Sequence, residues 1–400
     1  MPEAPPTAGL PLSWRDLLAA GPRSLELGLA EFLGAPRLRV ECSGTAALVV
    51  ALTALKRRSA RRRVVVPAYT CPLVAMAVLH CGLTPVPCDL RSGDFQLAPG
   101  QLAGLCDATV LAVVPTHLGG RVADLEPLRE VARRKGVAII EDAAQALGAL
   151  RHDGSPANAS DFVFYSLAVG KGLTLYEGGV LVFRDEQLRH ELEDLSAEIA
   201  ARRPGAELRR CLQLAGYAAL YRPRALRLAY GWPLRRALRR GNLIEAVGDD
   251  FSGSIPLHRV SDWRKRVGAS ALRRLPAFLR ALDAQAHRRL ERLAVVERIS
   301  VLGSGAATRR TWPFFMLLMP STEARDAALR RLWGAGLGVS RLYIHALADY
   351  SYLAGRLEQT ATPHARDLAA RMLTVSNSPW LADDDFDRVV RVLAAAASSS

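Results

Sequence analysis

Between Leu38 and Asp142 the chain repeats one scheme: a short apolar run, a turn, and usually a stretch with helical spacing. The runs are Leu38–Cys42, Val64–Val66, Pro85–Cys88, Val110–Val114 and Val137–Ile140. Helical stretches follow at AALVVALTALKRR, at Pro72–Cys81 and at LEPLREVARRKG, which Gly136 stops. Runs that are apolar on both faces, separated by helices of this length, predict a mostly parallel sheet covered on both sides. The predicted class is therefore α/β. Ligands of such sheets bind beyond the carboxyl ends of the strands. Tyr69, His117, Asp142 and the turn Ser43-Gly44-Thr45 all fall on that edge. The turn opens a helix, so its free N–H groups suit a phosphate; an ordinary N-cap is the other reading.

The stretch Asp161–Phe183, DFVFYSLAVGKGLTLYEGGVLVF, adds two further buried runs around a polar connection. The connection carries Ser166, Lys171, Thr174 and Glu177-Gly178-Gly179. Of 53 basic residues only four are lysines, and Lys56, Lys135 and Lys265 stand beside arginines. Lys171 alone has apolar and small neighbours. Its amine either snorkels to water or is held for chemistry.

Half of the 400 residues are apolar, enough for a large core and two or three domains. No run is long and apolar enough for a transmembrane helix, and no secretory signal is visible. The six cysteines have no CxxC or zinc-ligand spacing and read as reduced cytosolic thiols, so no metal site is expected. The expected location is cytoplasmic. Net charge is +14, but Arg202–Arg240 holds eleven arginines against one acid, Glu207. That segment accounts for +10 and leaves +4 elsewhere, which argues against nucleic acid as a partner. It interleaves arginines with Tyr217, Tyr221, Tyr230 and Trp232. Two readings stay open: a basic helical insertion, about residues 202–245, packed with its arginines in water, or peripheral contact through 202–240 with the inner face of a membrane. Pro223 and Pro233 are expected to break any long helix there. Residues 1–12, rich in proline, read as a loose lead-in. From Asp249 the texture changes: a turn-rich boundary, a long helical pattern Trp263–Val301, a strand in TWPFFMLLMP and a final helix in FDRVVRVLAAAA.

Taken in order, SGTAAL, VVVPAYT, PTHLGG, IIEDAAQALGA, YSLAVGKGLTLYEGGVLV, RVSDW and LADDDFDRVVRVL resemble the DegT/DnrJ/EryC1/StrS sugar aminotransferases, which depend on pyridoxal phosphate. The resemblance implies a fold-type I transferase, like aspartate aminotransferase. It would have a pyridoxal-phosphate-binding large domain, residues 1–248, and a smaller α+β domain, residues 249–400. It implies that Lys171 holds the cofactor aldehyde as a Schiff base and then moves the proton, which requires a neutral amine. Asp142 would face the pyridine nitrogen, Gln145 the ring hydroxyl, and Gly44, Thr45 and Ser166 the phosphate, with Tyr69 and Cys71 beside the ring. His117, Glu177 and Arg259 are candidates for substrate contact. The implied reaction moves an amino group from an amino acid, glutamate or glutamine, to a keto-sugar or keto-cyclitol, nucleotide-linked or free, in a homodimer. The chain departs from the family pattern at Cys71 (an aromatic residue), Leu257 (an asparagine) and Ala168 (often histidine). The alternative is a cofactor-binding protein that does not transaminate, a regulator or a relative of the sugar dehydratases. The dehydratases carry histidine where this chain has Lys171.

Overall fold

The computed structural model describes residues 2–19, 24–35, 37–150, 160–185, 187–251, 254–303 and 310–398. Seven strands form the large sheet: β1 (Leu38–Glu41), β2 (Arg63–Pro67), β3 (Thr84–Cys88), β4 (Val110–Val113), β5 (Ala138–Asp142), β6 (Phe162–Ser166) and β7 (Gly179–Phe183). Their order is β1-β7-β6-β5-β4-β2-β3, and only β7 runs against the others. β1 and β3 are the edge strands; the strands between them are apolar because both faces are covered, and β6 and β7 are buried throughout.

A second, antiparallel sheet holds β8 (Ser300–Val301), β9 (Phe314–Leu318), β10 (Val339–Ser340) and β11 (Met372–Ser376), in the order β10-β11-β9-β8. The long helical pattern after Trp263 resolves into two helices, Asp262–Leu272 and Leu275–Ala294, before β8. The helix Asp262–Leu272 and the first turns of Leu275–Ala294 bury Val267, Ala271, Leu275 and Leu279 against Tyr165 and Val163 of the large sheet. Further along, Ala286 and Leu293 join the core of the small sheet. One helix thus serves both layers.

Two expectations change. Residues 2–12 are not loose: Glu3, Ala4, Ala8 and Leu10 donate backbone hydrogen bonds to Pro223, Gly336, Pro313 and Gly172 in turn. Leu10 and Leu12 are buried. Nothing periodic marks such a strap, because its partners lie far away in sequence. Pro223 does start a new helix, but Pro233 does not break one. The chain passes from Pro223–Leu226 through a π-turn, Arg227–Gly231, into Trp232–Arg239. A widened turn just ahead of Pro233 absorbs the missing N–H and the ring's bulk. All six cysteines are free, four of them buried.

Candidate active site

A cleft of about 720 Å³ opens at the carboxyl ends of the large-sheet strands and is closed on its far side by the small sheet. Gly44, Thr45, Cys71, Asp142, Gln145, Ser166, Lys171 and Glu177 all line it.

One end is a helix N-terminus. Ser43 caps the helix Gly44–Arg57, its Oγ accepting from the Ala46 N–H at 3.0 Å. The first N–H groups of a helix have no partner within it and carry its positive pole. Ser166, the last residue of β6, stands against this turn: a Cβ on Gly44 would lie 3.3 Å from the Ser166 Cβ. The triplet Glu177-Gly178-Gly179 also has a physical reason. A Cβ on Gly179 would fall 2.2 Å from the Ser43 carbonyl oxygen, so the capping turn seats on β7 only because Gly179 lacks one.

Asp142 ends β5 and is 3% exposed. Its Oδ1 accepts from the Ala144 N–H at 3.0 Å. Burial raises its pKa to about 6, against the opposing pull of the Ala144 hydrogen bond, Lys171 and His117. Lys171 lies in the turn between β6 and β7, shaped by Gly170 at φ +78° and by the Lys171 N–H donating to Ala168. The strap packs on this turn: a Cβ on Gly170 would meet the Thr7 hydroxyl. Among the described residues, no hydrogen bond or ion pair engages the Lys171 Nζ. Desolvation lowers its pKa from the ordinary lysine value, while Cys71 and Asp142 pull the other way. A half-buried, desolvated amine near a buried carboxyl, without an ion-pair partner among the described residues, is costly in a purely structural role.

The other predicted residues separate into two groups. Gln145 bridges the two sheets, its Oε1 accepting from the Gly119 N–H at 2.8 Å and its Nε2 donating to the Tyr343 hydroxyl at 3.1 Å. Cys71 precedes the helix Pro72–His80, and burial pushes its thiol up to about 12. Glu177 faces the cleft and pairs with Arg210. Tyr69, His117 and Arg259 do not line the cleft. Tyr69 is buried behind it, its hydroxyl on the Tyr343 backbone and its ring edge-on to Tyr343 with centroids 5.4 Å apart. His117 is fully buried; Nε2 meets Glu141 at 2.8 Å, and its backbone N–H donates to the Asp142 carbonyl. Arg259 is exposed, its Nε donating to the Ala200 carbonyl.

Sequence reasoning missed the far wall. Arg341, Leu342 and Tyr343 reach the cleft from the small-sheet side. Asp249, 3% exposed, accepts from the Tyr350 hydroxyl at 2.6 Å and the Ile344 N–H at 2.9 Å, which fixes the chain at Asp249 to this wall. The only advance sign was a tyrosine-rich stretch, Tyr343 to Tyr352.

Comparison with known proteins extends the picture. The model of the DegT/DnrJ/EryC1/StrS aminotransferase family matches residues 15–217 and 257–394. Curated relatives include GDP-perosamine synthase of Caulobacter vibrioides, 32% identical over 43% of this chain and 46% of that protein. Another is the spore coat polysaccharide biosynthesis protein SpsC of Bacillus subtilis, 34% identical over 45% of this chain and 46% of that protein. The matched region thus spans under half the length of these relatives. Among solved structures, a putative sugar aminotransferase, Spr1654 of Streptococcus pneumoniae in its PMP form, superposes with a TM-score of 0.77 at 20% identity, covering 100% of this chain and 99% of that one. DesV of S. venezuelae gives 0.71 at 24% identity, covering 95% and 90%. These likenesses establish the fold as that of the sugar aminotransferases. With the family model matched over most of its length, the chain belongs to the DegT/DnrJ/EryC1/StrS aminotransferase family.

Proposed function

We propose that the chain is a pyridoxal-phosphate-dependent aminotransferase that moves an amino group from glutamate or glutamine to a keto-sugar or keto-cyclitol, a nucleotide-linked sugar being one form of the acceptor. The carrying observation is the Lys171 amine, without a hydrogen-bond or ion-pair partner among the described residues, in a cleft that also holds Asp142 and a helix N-terminus. The residues present fit the cofactor. The Gly44 and Thr45 N–H groups and the Ser166 hydroxyl would hold its phosphate, Asp142 its ring nitrogen, and Gln145 its ring hydroxyl.

When bound, the cofactor supplies an aldehyde that receives the amino group and an electron-poor ring that stabilises charge at the substrate carbon. The chain supplies the proton transfer and the orientation. Desolvation keeps the Lys171 amine neutral more readily than in water, so it can take a proton from one carbon and return it to another position. Asp142, buried and held by the Ala144 N–H, presents a carboxylate at pH 7 to a cationic ring. The His117–Glu141 pair stiffens the strand end that carries Asp142, and Tyr69 braces Tyr343 on the opposite wall. Cys71 lines the cleft at the position where the family pattern has an aromatic residue, and its smaller side chain would leave more room beside the cofactor. Glu177, paired with Arg210, is the cleft-facing candidate for acceptor contact. A homodimer is part of the proposal; in it, the exposed Arg259 could reach a partner's cleft.

Purified protein mixed with pyridoxal phosphate should develop a visible absorption band that glutamate or glutamine bleaches. Lys171→Ala should develop no such band. Wild-type protein that ignores the cofactor would overturn the reading. Binding with no spectral response to any amino donor would move the chain to the non-transaminating class.

A further inference from the structure

The family match is interrupted between residues 217 and 257, where the chain builds the helix Pro223–Leu226, the π-turn Arg227–Gly231, the helix Trp232–Arg239 and the helix Leu243–Val247. One side of this arm is anchored. Leu226, Gly231, Leu234 and Ala237 are buried, and Arg235 pairs with Glu3 of the strap at 2.9 Å. The other side is bare: Leu228 is 74% exposed and Trp232 54%. One turn apart, they sit among exposed Arg224, Arg227, Arg236, Arg239 and Arg240, with the Arg236 guanidinium 5.5 Å from the Trp232 ring centre. Among the described residues no carboxylate pairs with any of these five arginines. The preceding helix, Pro204–Leu220, repeats the pattern with Leu208 and Leu212 more than 60% exposed beside Arg209. Glu207, the one acid among residues 202–240, is already bound to Arg264, and Glu245, exposed on the last helix of the arm, accepts from the Asn242 side chain.

We propose that this face docks the protein on a bilayer rich in anionic phospholipid. The arm lies in the headgroup plane, Leu228 and Trp232 enter the acyl boundary, and the arginines hold lipid phosphates. The charge selects this occupant. A second copy would bring another +10 segment against the first and be repelled. A nucleic acid would satisfy the arginines but leave Leu208, Leu212 and Leu228 in water. A bilayer interface meets both needs at once. The helix Trp232–Arg239 packs directly on Leu243–Val247, and Ala246 and Val247 line the cleft. Docking would therefore bring that wall of the cleft to the membrane surface.

The test is co-sedimentation of the full chain with phosphatidylcholine vesicles and with mixed phosphatidylcholine–phosphatidylglycerol vesicles. The protein should pellet only with the mixed vesicles, and less so as salt rises. Leu228→Glu and Trp232→Glu should each lower the partition coefficient about tenfold or more. Unchanged circular dichroism would show that these exposed changes leave the fold intact. No pelleting with anionic vesicles, equal pelleting with neutral ones, or variants that bind as well as wild type would each overturn the proposal. So would a change in oligomeric state in Trp232→Glu without loss of vesicle binding, or tighter binding to single-stranded RNA than to the vesicles. The readout requires neither cofactor nor substrate, so it fails or succeeds independently of the transamination reading.

Discussion

Two walls of one cleft are built in different ways. The sheet-edge wall takes Asp142, Ser166 and Lys171 from the ends of the buried central strands β5 and β6 and the turn that follows β6. The opposite wall takes Ala246 to Phe251 and Ser254 to Pro256 from an arm that interrupts the family match and is tied down by single residues such as Asp249 and Arg235. The first wall holds the groups that perform chemistry, on backbone positions set by the core of the sheet. The second can change with little cost to the sheet. A fold that keeps one wall and varies the other can retain a reaction while changing what it acts on.

Substitutions should divide along the same line. Lys171→Ala should lower turnover by at least about a thousandfold while leaving the melting temperature near that of wild type, because the amine has no hydrogen-bond or ion-pair partner among the described residues. Both quantities are read from half-reaction rates and thermal unfolding. The support beneath the wall should behave in the opposite way. Arg264, fully buried, holds Glu207 through two hydrogen bonds, at 2.7 and 2.6 Å, and caps the Glu177 carbonyl. Arg264→Met should cost about 3–5 kcal/mol in denaturant unfolding. Although burial opposes it, hydrogen bonds from His258, Arg264 and Ser261 hold the Glu207 carboxyl well below its ordinary pKa. This contribution is complete above about pH 4.5 and is lost as pH falls below that value.

Asp142→Asn should separate function from stability at a single residue. Its folded pKa of about 6 lies above the ordinary 3.8, so the folded state binds the proton more tightly, and stability falls as pH rises between these values. Without cofactor, the asparagine variant should gain up to about 3 kcal/mol above pH 6 relative to wild type, while losing amino transfer. A variant no more stable than wild type would mean that the carboxylate is not strained in the empty cleft. On the arm side, Phe251→Ala should raise KM for the acceptor by about tenfold and leave the cofactor spectrum and the donor half-reaction unchanged. An equal effect on the donor step would erase the distinction between the walls. The smallest effect is expected at Gly44→Ala, where the new Cβ lies 3.3 Å from Ser166 and should weaken cofactor binding several-fold.

The sheet-edge wall was legible in the sequence because each of its parts is local. An apolar run, a turn and a helix announce a strand end, and Lys171 stands out from its neighbours within a few residues. Tyr69 and His117 were correctly read onto that edge, yet their side chains turn behind the cleft, a matter of strand register that alternation cannot supply when both faces are apolar. The strap, the Asp249–Tyr350 link and the approach of Tyr343 to Gln145 depend on residues a hundred or more positions apart. The π-turn before Pro233 was also hidden, because a proline signals a helix break and not the local widening that avoids one.

The most direct test of the central claim is a spectral titration of wild type and Lys171→Ala with pyridoxal phosphate, followed by glutamate or glutamine. Wild type should gain a visible band that the donor bleaches and a keto-sugar restores. Lys171→Ala, with its fold intact, should show neither change. A band of equal strength in Lys171→Ala, or a wild-type band indifferent to every amino donor, would contradict the account.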